Sequence, residues 1–226
     1  MIAGPEEIYT AEERYRGYCM AMEKAGAAFG EGLVVRGDYT KQRFVDTFLR
    51  MCDTQKLSDI TVTSLIAEAH TARQTFYNHF EDINGLVSYI PINFMEEFWR
   101  PAYYVETVRE AYYYAYEHKG FFCQLPQHAG QNNFRDTFIE HYREILHRTF
   151  VTDDLSPEEQ IYRSVAIEQL VIGVVDTFLE WCRQQMSWPV DVLVRVQHDA
   201  TPAFIRQIQH GNAEPPAMHP RPREIR

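Results

Sequence analysis

Residues Thr61–Phe80, TVTSLIAEAHTARQTFYNHF, decide the reading of this chain. They predict two short helices joined by a sharp turn. Thr61 is placed to cap the first, because a threonine oxygen accepts from an orphan backbone N–H at a helix start. Val62, Leu65, Ile66 and Ala69 follow at i, i+3, i+4 and i+7, the apolar stripe of a buried helix face. His70, Thr71 and Ala72 interrupt that stripe. Phe76 and Phe80 resume it, which leaves Arg73, Gln74, Thr75, Tyr77, Asn78 and His79 pointing elsewhere. A polar and aromatic face held by a buried partner helix has the dimensions of the DNA major groove.

The residues Thr61-Val62, Leu65, Ala69, Arg73-Gln74-Thr75-Phe76-Tyr77, His79-Phe80 and Leu86-Val87 resemble the tetracycline-repressor-like (TetR/AcrR) transcriptional regulators. The T-[FL]-Y-x-[HY]-F ending carries most of that resemblance, which is strong over residues 40–87. It implies an all-α fold: a three-helix helix-turn-helix head for DNA, followed by a helical regulatory and dimerisation body. It also implies DNA contacts at Thr61, Arg73, Gln74, Thr75, Tyr77 and His79, with Tyr77 reaching a phosphate. Arg73 and Gln74 are side chains able to make bidentate contacts to guanine and adenine. The chain departs from the family in three places. His70 stands where the turn usually has Gly, Ala72 where the recognition helix usually has a Ser or Asn cap, and Ile83 where the next helix often has Lys. Thr71 is then the candidate to replace the missing cap.

Upstream, Thr40–Thr54 predicts the first head helix, capped by Thr40, with Phe44, Phe48, Met51 and Cys52 facing inward. Residues 1–38 form an arm, with a helix over Pro5–Ala28 and a hinge at Gly30 and Gly32. The glycines lack the Gly-Lys-Ser/Thr ending of a phosphate loop. The head spans 39–89 and the body 90–210. Residues 211–226, with four prolines, read as a disordered tail.

Asp82 is placed to cap the helix that leaves the head, and Pro91 inside that helix predicts a kink or break. Pro101 opens a tyrosine-rich helix that ends by Gly120. Asn132 or Asn133 caps the next, which runs to Phe150. Ser156-Pro157-Glu158-Glu159 is a helix start with a capping box closed by Glu159. That helix runs to about Met186 and is apolar all round near its middle. A second copy of the chain is the natural cover for its outer face, so Leu170, Val171, Val174, Val175 and Phe178 are read as a homodimer interface. A last helix carries Val190, Leu193, Val194, Val196 and Ile205, with Pro202 inside it.

The resemblance implies a ligand cavity in the body. Tyr113, Tyr116, Phe122, His141 and Trp181 are its candidate lining, for a small aromatic or amphipathic effector. A solid aromatic core is the competing reading of the same residues. DNA release by such an effector would make the chain a repressor.

The formal net charge is −10, unusual for a DNA binder, since Lys and Arg neutralising phosphates supply most nonspecific affinity. Residues 40–90 hold Lys41, Arg43, Arg50, Lys56 and Arg73 against Asp46, Asp53, Asp59, Glu68, Glu81 and Asp82. The missing basic patch sustains a reading from another class, a degenerate helix-turn-helix serving protein–protein contact. Cys19, Cys52, Cys123 and Cys182 are widely spaced with no C-x-x-C, which predicts free thiols. His141 and His147 do not share a helix face, so no metal site is expected, and no cofactor. No nucleophile elbow, Walker loop or H-E-x-x-H occurs, and no catalytic residue is assigned. No apolar run reaches membrane-spanning length, and a cytoplasmic protein is expected.

Overall fold

A computed structural model describes residues 2–3, 35–36, 39–128 and 134–206. The expected arm helix, the Gly30–Gly32 hinge, the Asn132/Asn133 cap, Cys19 and the 211–226 tail lie outside the described residues. Apart from a two-residue parallel pairing of Ile2–Ala3 with Val35–Arg36, the described chain is helical, as expected. The helices are α1 (Tyr39–Cys52), α2 (Val62–Glu68), α3 (Arg73–Tyr77), α4 (Ile83–Phe98), α5 (Tyr104–Glu117), α6 (Lys119–Phe122), α7 (Phe134–Phe150), α8 (Pro157–Arg183), α9 (Val190–Ala200) and α10 (Ala203–Arg206).

The head is α1, α2 and α3. Phe44, Phe48, Met51 and Cys52 of α1 are buried, as are Leu65, Ala69, Phe76 and Phe80. Phe44 meets Phe76 edge-on at 5.3 Å and Phe80 at 6.4 Å. Such ring pairs add about 0.5–1.5 kcal/mol beyond area burial. Thr40 does not cap α1 but lies inside it, because the helix already begins at Tyr39.

In the body, α7 packs along α8 and α5 along α9. Two bidentate pairs lock the first seam: Arg135 to Asp176 at 2.6 and 2.9 Å, and Arg143 to Glu168 at 2.6 and 2.9 Å. Asp82 caps α4 as expected, accepting from Gly85 N–H at 2.8 Å. Pro91 does not break α4, which continues to Phe98. Proline forfeits the hydrogen bond to the Val87 carbonyl, yet Val87, Ile90, Phe94 and Met95 are all buried, and their packing holds the helix together.

Other boundaries move for local reasons. Pro101 opens a 3-10 turn, and α5 itself runs from Tyr104 to Glu117, short of Gly120. α8 ends at Arg183, not Met186, because Gln185 and Met186 turn left-handed, with φ of 55° and 56°. Ser156 caps α8, but the Glu159 carboxylate accepts from Arg163 Nε at 2.8 Å instead of closing a capping box. Pro202 separates α9 from α10, which leaves Ile205 on the shorter piece.

Head and body share one continuous core. Their seam is tight at Gly120, where an added Cβ would sit 2.9 Å from both Asp53 Cα and the Cys52 carbonyl oxygen. Both are backbone atoms and cannot step aside. Gly120→Ala is expected to cost about 1–3 kcal/mol through overpacking, read as a lower midpoint in thermal unfolding.

Candidate nucleic-acid interface and body cavity

Helix α2 starts with a capping box. Thr61 Oγ1 accepts from Ser64 N–H at 3.1 Å, and Ser64 Oγ accepts from Thr61 N–H at 3.0 Å. Thr61 is exposed, with its oxygen already serving the helix. The turn between α2 and α3 places His70 at φ 49°, the left-handed region that favours glycine. Histidine is among the few other residues enriched there. Ala72 is the residue before α3 and offers no side-chain cap. Thr71 does not replace it: its Oγ1 is buried without a hydrogen-bond partner among the described residues.

On α3, Phe76 points into the core and the opposite face is open. Arg73 Nη2 donates to Tyr77 Oη at 3.2 Å, and Gln74 Nε2 donates to Asn78 Oδ1 at 3.0 Å. These i,i+4 pairs lie side by side, so α3 presents an ordered face of one guanidinium, one phenol and two amides. Tyr77 is 43% exposed. Thr75 and His79 are half-buried, and the His79 ring lies 6.5 Å from both Phe44 and Phe80. The six predicted head residues therefore fall into an exposed set, Thr61, Arg73, Gln74 and Tyr77, and a half-buried pair, Thr75 and His79. Asn78 belongs with the exposed set. The sequence pattern already set Asn78 on this face, but the DNA contacts implied by the resemblance did not include it.

A residue with no local sequence signal ties this head to the body. Gln124 follows α6, and its side chain reaches across the seam. Its Oε1 accepts from Leu57 N–H at 2.7 Å. Its Nε2 lies 2.6 Å from the Gly120 carbonyl, 3.2 Å from that of Gln55 and 3.3 Å from that of Cys52. Beside it, Phe48 of α1 meets Phe121 of α6 at 5.9 Å. His128 Nε2 lies 2.8 Å from Asn84 Oδ1 near the start of α4, and burial lowers the His128 pKa.

In the body, a cavity of about 70 Å³ lies among α4, α5, α6, α7 and α8. Of the five predicted lining residues only Phe122 borders it. Tyr113 and Tyr116 lie on other faces of α5, because the inward stripe is Tyr104, Val108, Tyr112 and Ala115. Tyr116 stacks over Trp181, whose Nε1 donates to the Trp188 carbonyl at 3.0 Å. Trp181 is a fully buried core residue. His141 Nε2 is buried 3.4 Å from Glu96 Oε1, outside hydrogen-bond geometry. Phe94, Val108, Tyr112, Phe138, Tyr142 and Val174 are among the residues that form the wall. Tyr142 Oη and Tyr104 Oη share a hydrogen bond at 2.7 Å. Burial pushes the Tyr104 pKa up to about 12, against the opposing pull of its hydrogen bonds, so the phenol stays neutral.

The predicted interface residues divide. Leu170, Val171 and Val175 are buried within the single chain, and Phe178 packs on Tyr112, Phe122 and Trp181. The large apolar side chains that α8 turns outward are Ile161, 66% exposed, Tyr162, 58%, Val165, 55%, and Ile172, 37%. Val192 and Val196 of α9 are also exposed. An open groove runs between α8 and α9, bordered by Tyr162, Val165, Gly173, Val174 and Val196. A Cβ at Gly173 would meet nothing within 4 Å.

Cys52, Cys123 and Cys182 are free and buried. Burial, with a smaller contribution from Asp53, pushes the Cys52 thiol up to about 12, and burial also raises Cys123 and Cys182. Among the described residues no group of three or more His, Cys, Asp or Glu is placed to hold a metal ion, and no helix is long and apolar enough to cross a membrane.

No family model and no curated protein matches the chain. Solved structures similar to it are transcriptional regulators, several of them of the tetracycline-repressor-like family. The dihydroxyacetone kinase operon activator DhaS aligns over 76% of this chain and 98% of its own, with 18% identity and a TM-score of 0.56. A TetR transcriptional regulator from Streptococcus agalactiae covers 76% and 94%, with 17% identity and a TM-score of 0.44. NalD, the secondary repressor of the MexAB-OprM multidrug efflux pump in Pseudomonas aeruginosa, covers 71% and 92%, with 15% identity and a TM-score of 0.40. At such identities the likeness is one of fold.

Proposed function

We propose, from the all-α regulator fold of this chain, that it is a homodimeric DNA-binding regulator of transcription of the tetracycline-repressor-like type, released from its operator by a small molecule. The observation that carries this reading is the α3 face. Arg73, Gln74, Tyr77 and Asn78 stand ordered on a helix whose other side is fixed by Phe44, Phe76 and Phe80. Preorganised amides and a guanidinium are the groups that read base edges in the major groove. Thr75 and His79 support that surface from the edge of the core.

The two recognition helices of a two-fold dimer would meet two half-sites of a symmetric operator. Ile161, Tyr162, Val165 and Val196 supply the apolar face that a second copy would cover. Release follows as a population shift. A molecule in the body favours a state in which the heads no longer match the half-site spacing. It must bind that state about 5.5 kcal/mol more tightly for a near-complete switch.

The balance of five basic against six acidic side chains over residues 40–90 favours a second reading, a helix-turn-helix used for protein contact. Sequencing of duplexes enriched by the protein from a random pool separates the two. Gln74→Ala is expected to relax preference at one position in each half-site and to weaken binding by about 1–3 kcal/mol. Arg73→Ala is expected to lower the slope of affinity with salt by about one if Arg73 grips phosphate. Identical enriched sequences and affinities for the unmodified protein and both variants would remove α3 from the interface.

A further inference from the structure

Among the described residues, the wall of the body cavity carries no ionisable side chain other than tyrosine. Its hydroxyls are largely committed. Tyr142 is held by Tyr104 at 2.7 Å, and Thr107 Oγ1 donates to the Tyr103 carbonyl at 3.0 Å. Tyr112 Oη is buried without a hydrogen-bond partner among the described residues, on a side chain 3% exposed. Burial raises the Tyr112 pKa, so this hydroxyl is neutral. Trp99 and Tyr114 add an indole N–H and a phenol to the wall, and the rest is hydrocarbon and ring, Phe94, Val108, Phe122, Phe138, Val174 and Phe178 among it.

A charged molecule entering this space would shed its hydration and find neither a counter-charge nor a set of free donors. That penalty is large for an unpaired ion. An apolar molecule loses nothing comparable and gains the burial of its surface. At about 70 Å³ the space is roughly half the volume of about 150 Å³ at which a dry apolar cavity holds one benzene ring. A four-carbon chain has nearly the volume of a benzene ring, so neither fits without movement. A ring fits once the stacked pair of Phe94 and Tyr114, 4.4 Å apart at 20°, parts at one side. Phe94 lies on α4, which descends from the head, and Phe122 lies on α6, two residues before Gln124. Expansion of the cavity therefore presses on both elements that hold the head.

We infer that the effector is an uncharged, mostly hydrocarbon molecule carrying at most one or two polar atoms, and that anionic and cationic compounds are excluded from the site. This inference rests on the proposal of a small-molecule effector and narrows it to a chemical class. It also moves the site away from the polar groups first considered, Tyr113, Tyr116 and His141.

The test uses two matched pairs, butan-1-ol with butyrate and toluene with benzoate, at pH 8 on the full-length protein. Thermal unfolding and calorimetry read binding, and a duplex enriched from the random pool reads DNA release. The neutral member of at least one pair is expected to raise the midpoint by about 3–6 °C at ten times its dissociation constant. Its charged partner should bind at least about a hundredfold more weakly. Ala111→Leu fills the cavity wall and is expected to abolish the shift while the variant stays folded. Val174→Leu, a smaller addition, should reduce it if Ala111→Leu fails to fold. Equal or tighter binding of the charged members overturns the inference, as does binding of no probe, or a shift unchanged in the cavity-filled variant. The two claims fail separately. A charged compound that binds and releases DNA removes the chemical class and leaves effector control standing. A neutral compound that binds in the cavity without altering DNA binding leaves the class standing and removes effector control.

Discussion

Replacing Val165 with Arg is expected to give a folded monomer that no longer binds its operator. Val165 is 55% exposed on α8, so within one chain the substitution meets solvent and disturbs little. In a two-fold interface the same residue is buried near its counterpart, and two guanidiniums without partners would be desolvated together. Truncating or opposing such a contact costs several kcal/mol. Each recognition helix alone retains only one half-site, and the advantage of simultaneous engagement, about 10²–10⁴ in affinity, is lost. Light scattering gives the mass and fluorescence anisotropy the DNA affinity. Val196→Arg, on the other side of the groove, should behave alike. By contrast Val171→Arg should prevent folding, since Val171 is fully buried within the chain. Dimers of unchanged stability in both surface variants would place the interface elsewhere.

Gln124→Leu is expected to loosen the head from the body. The substitution keeps the volume but deletes the acceptor of Leu57 N–H and the donor to three carbonyls. Leu57 is a buried residue, and a stranded backbone N–H costs about 1–3 kcal/mol. Gln124→Glu retains the acceptor but sets a carboxylate oxygen against the three carbonyls in place of the donor, so it should cost at least as much. Hydrogen exchange should show faster exchange over residues 52–59 in Gln124→Leu, with α8 unaffected. Operator binding should weaken by about tenfold, because a head no longer preset in direction must be ordered on binding. Unchanged exchange in the 52–59 segment would show that other contacts alone hold the seam.

Much of this arrangement was legible in the sequence where the signal is local. Caps at Thr61, Asp82 and Ser156 need only a short polar residue and the backbone three positions on. The inward stripes of α1 and α2 need only periodicity. Apart from local misses at Thr40, Thr71 and Glu159, the signals that failed depend on partners distant in sequence. Leu170, Val171 and Val175 look alike whether a second copy or the chain's own α5 and α7 cover them. Only the packing decides, and it turned outward Ile161, Tyr162 and Val165, nearer the start of α8, together with Ile172. Runs of adjacent tyrosines on α5 cover several faces, so composition could not separate Tyr112, which borders the cavity, from Tyr113, which does not. Gln124 is one amide in an aromatic stretch, and its partners lie about seventy residues away. The break allowed for at Pro91 does not form, because tertiary packing of α4 outweighs the local rule.

The central claim is that two α3 helices, set by a two-fold axis, read a symmetric duplex. The most direct measurement is selection of bound sequences from random double-stranded DNA by the purified protein. The expected result is a palindromic consensus whose half-sites are separated by about one helical turn, or a multiple of it, bound with an affinity that falls as salt rises. A protein that is dimeric by light scattering yet enriches no sequence, and binds duplex DNA at no ionic strength down to about 0.01 M, would contradict it.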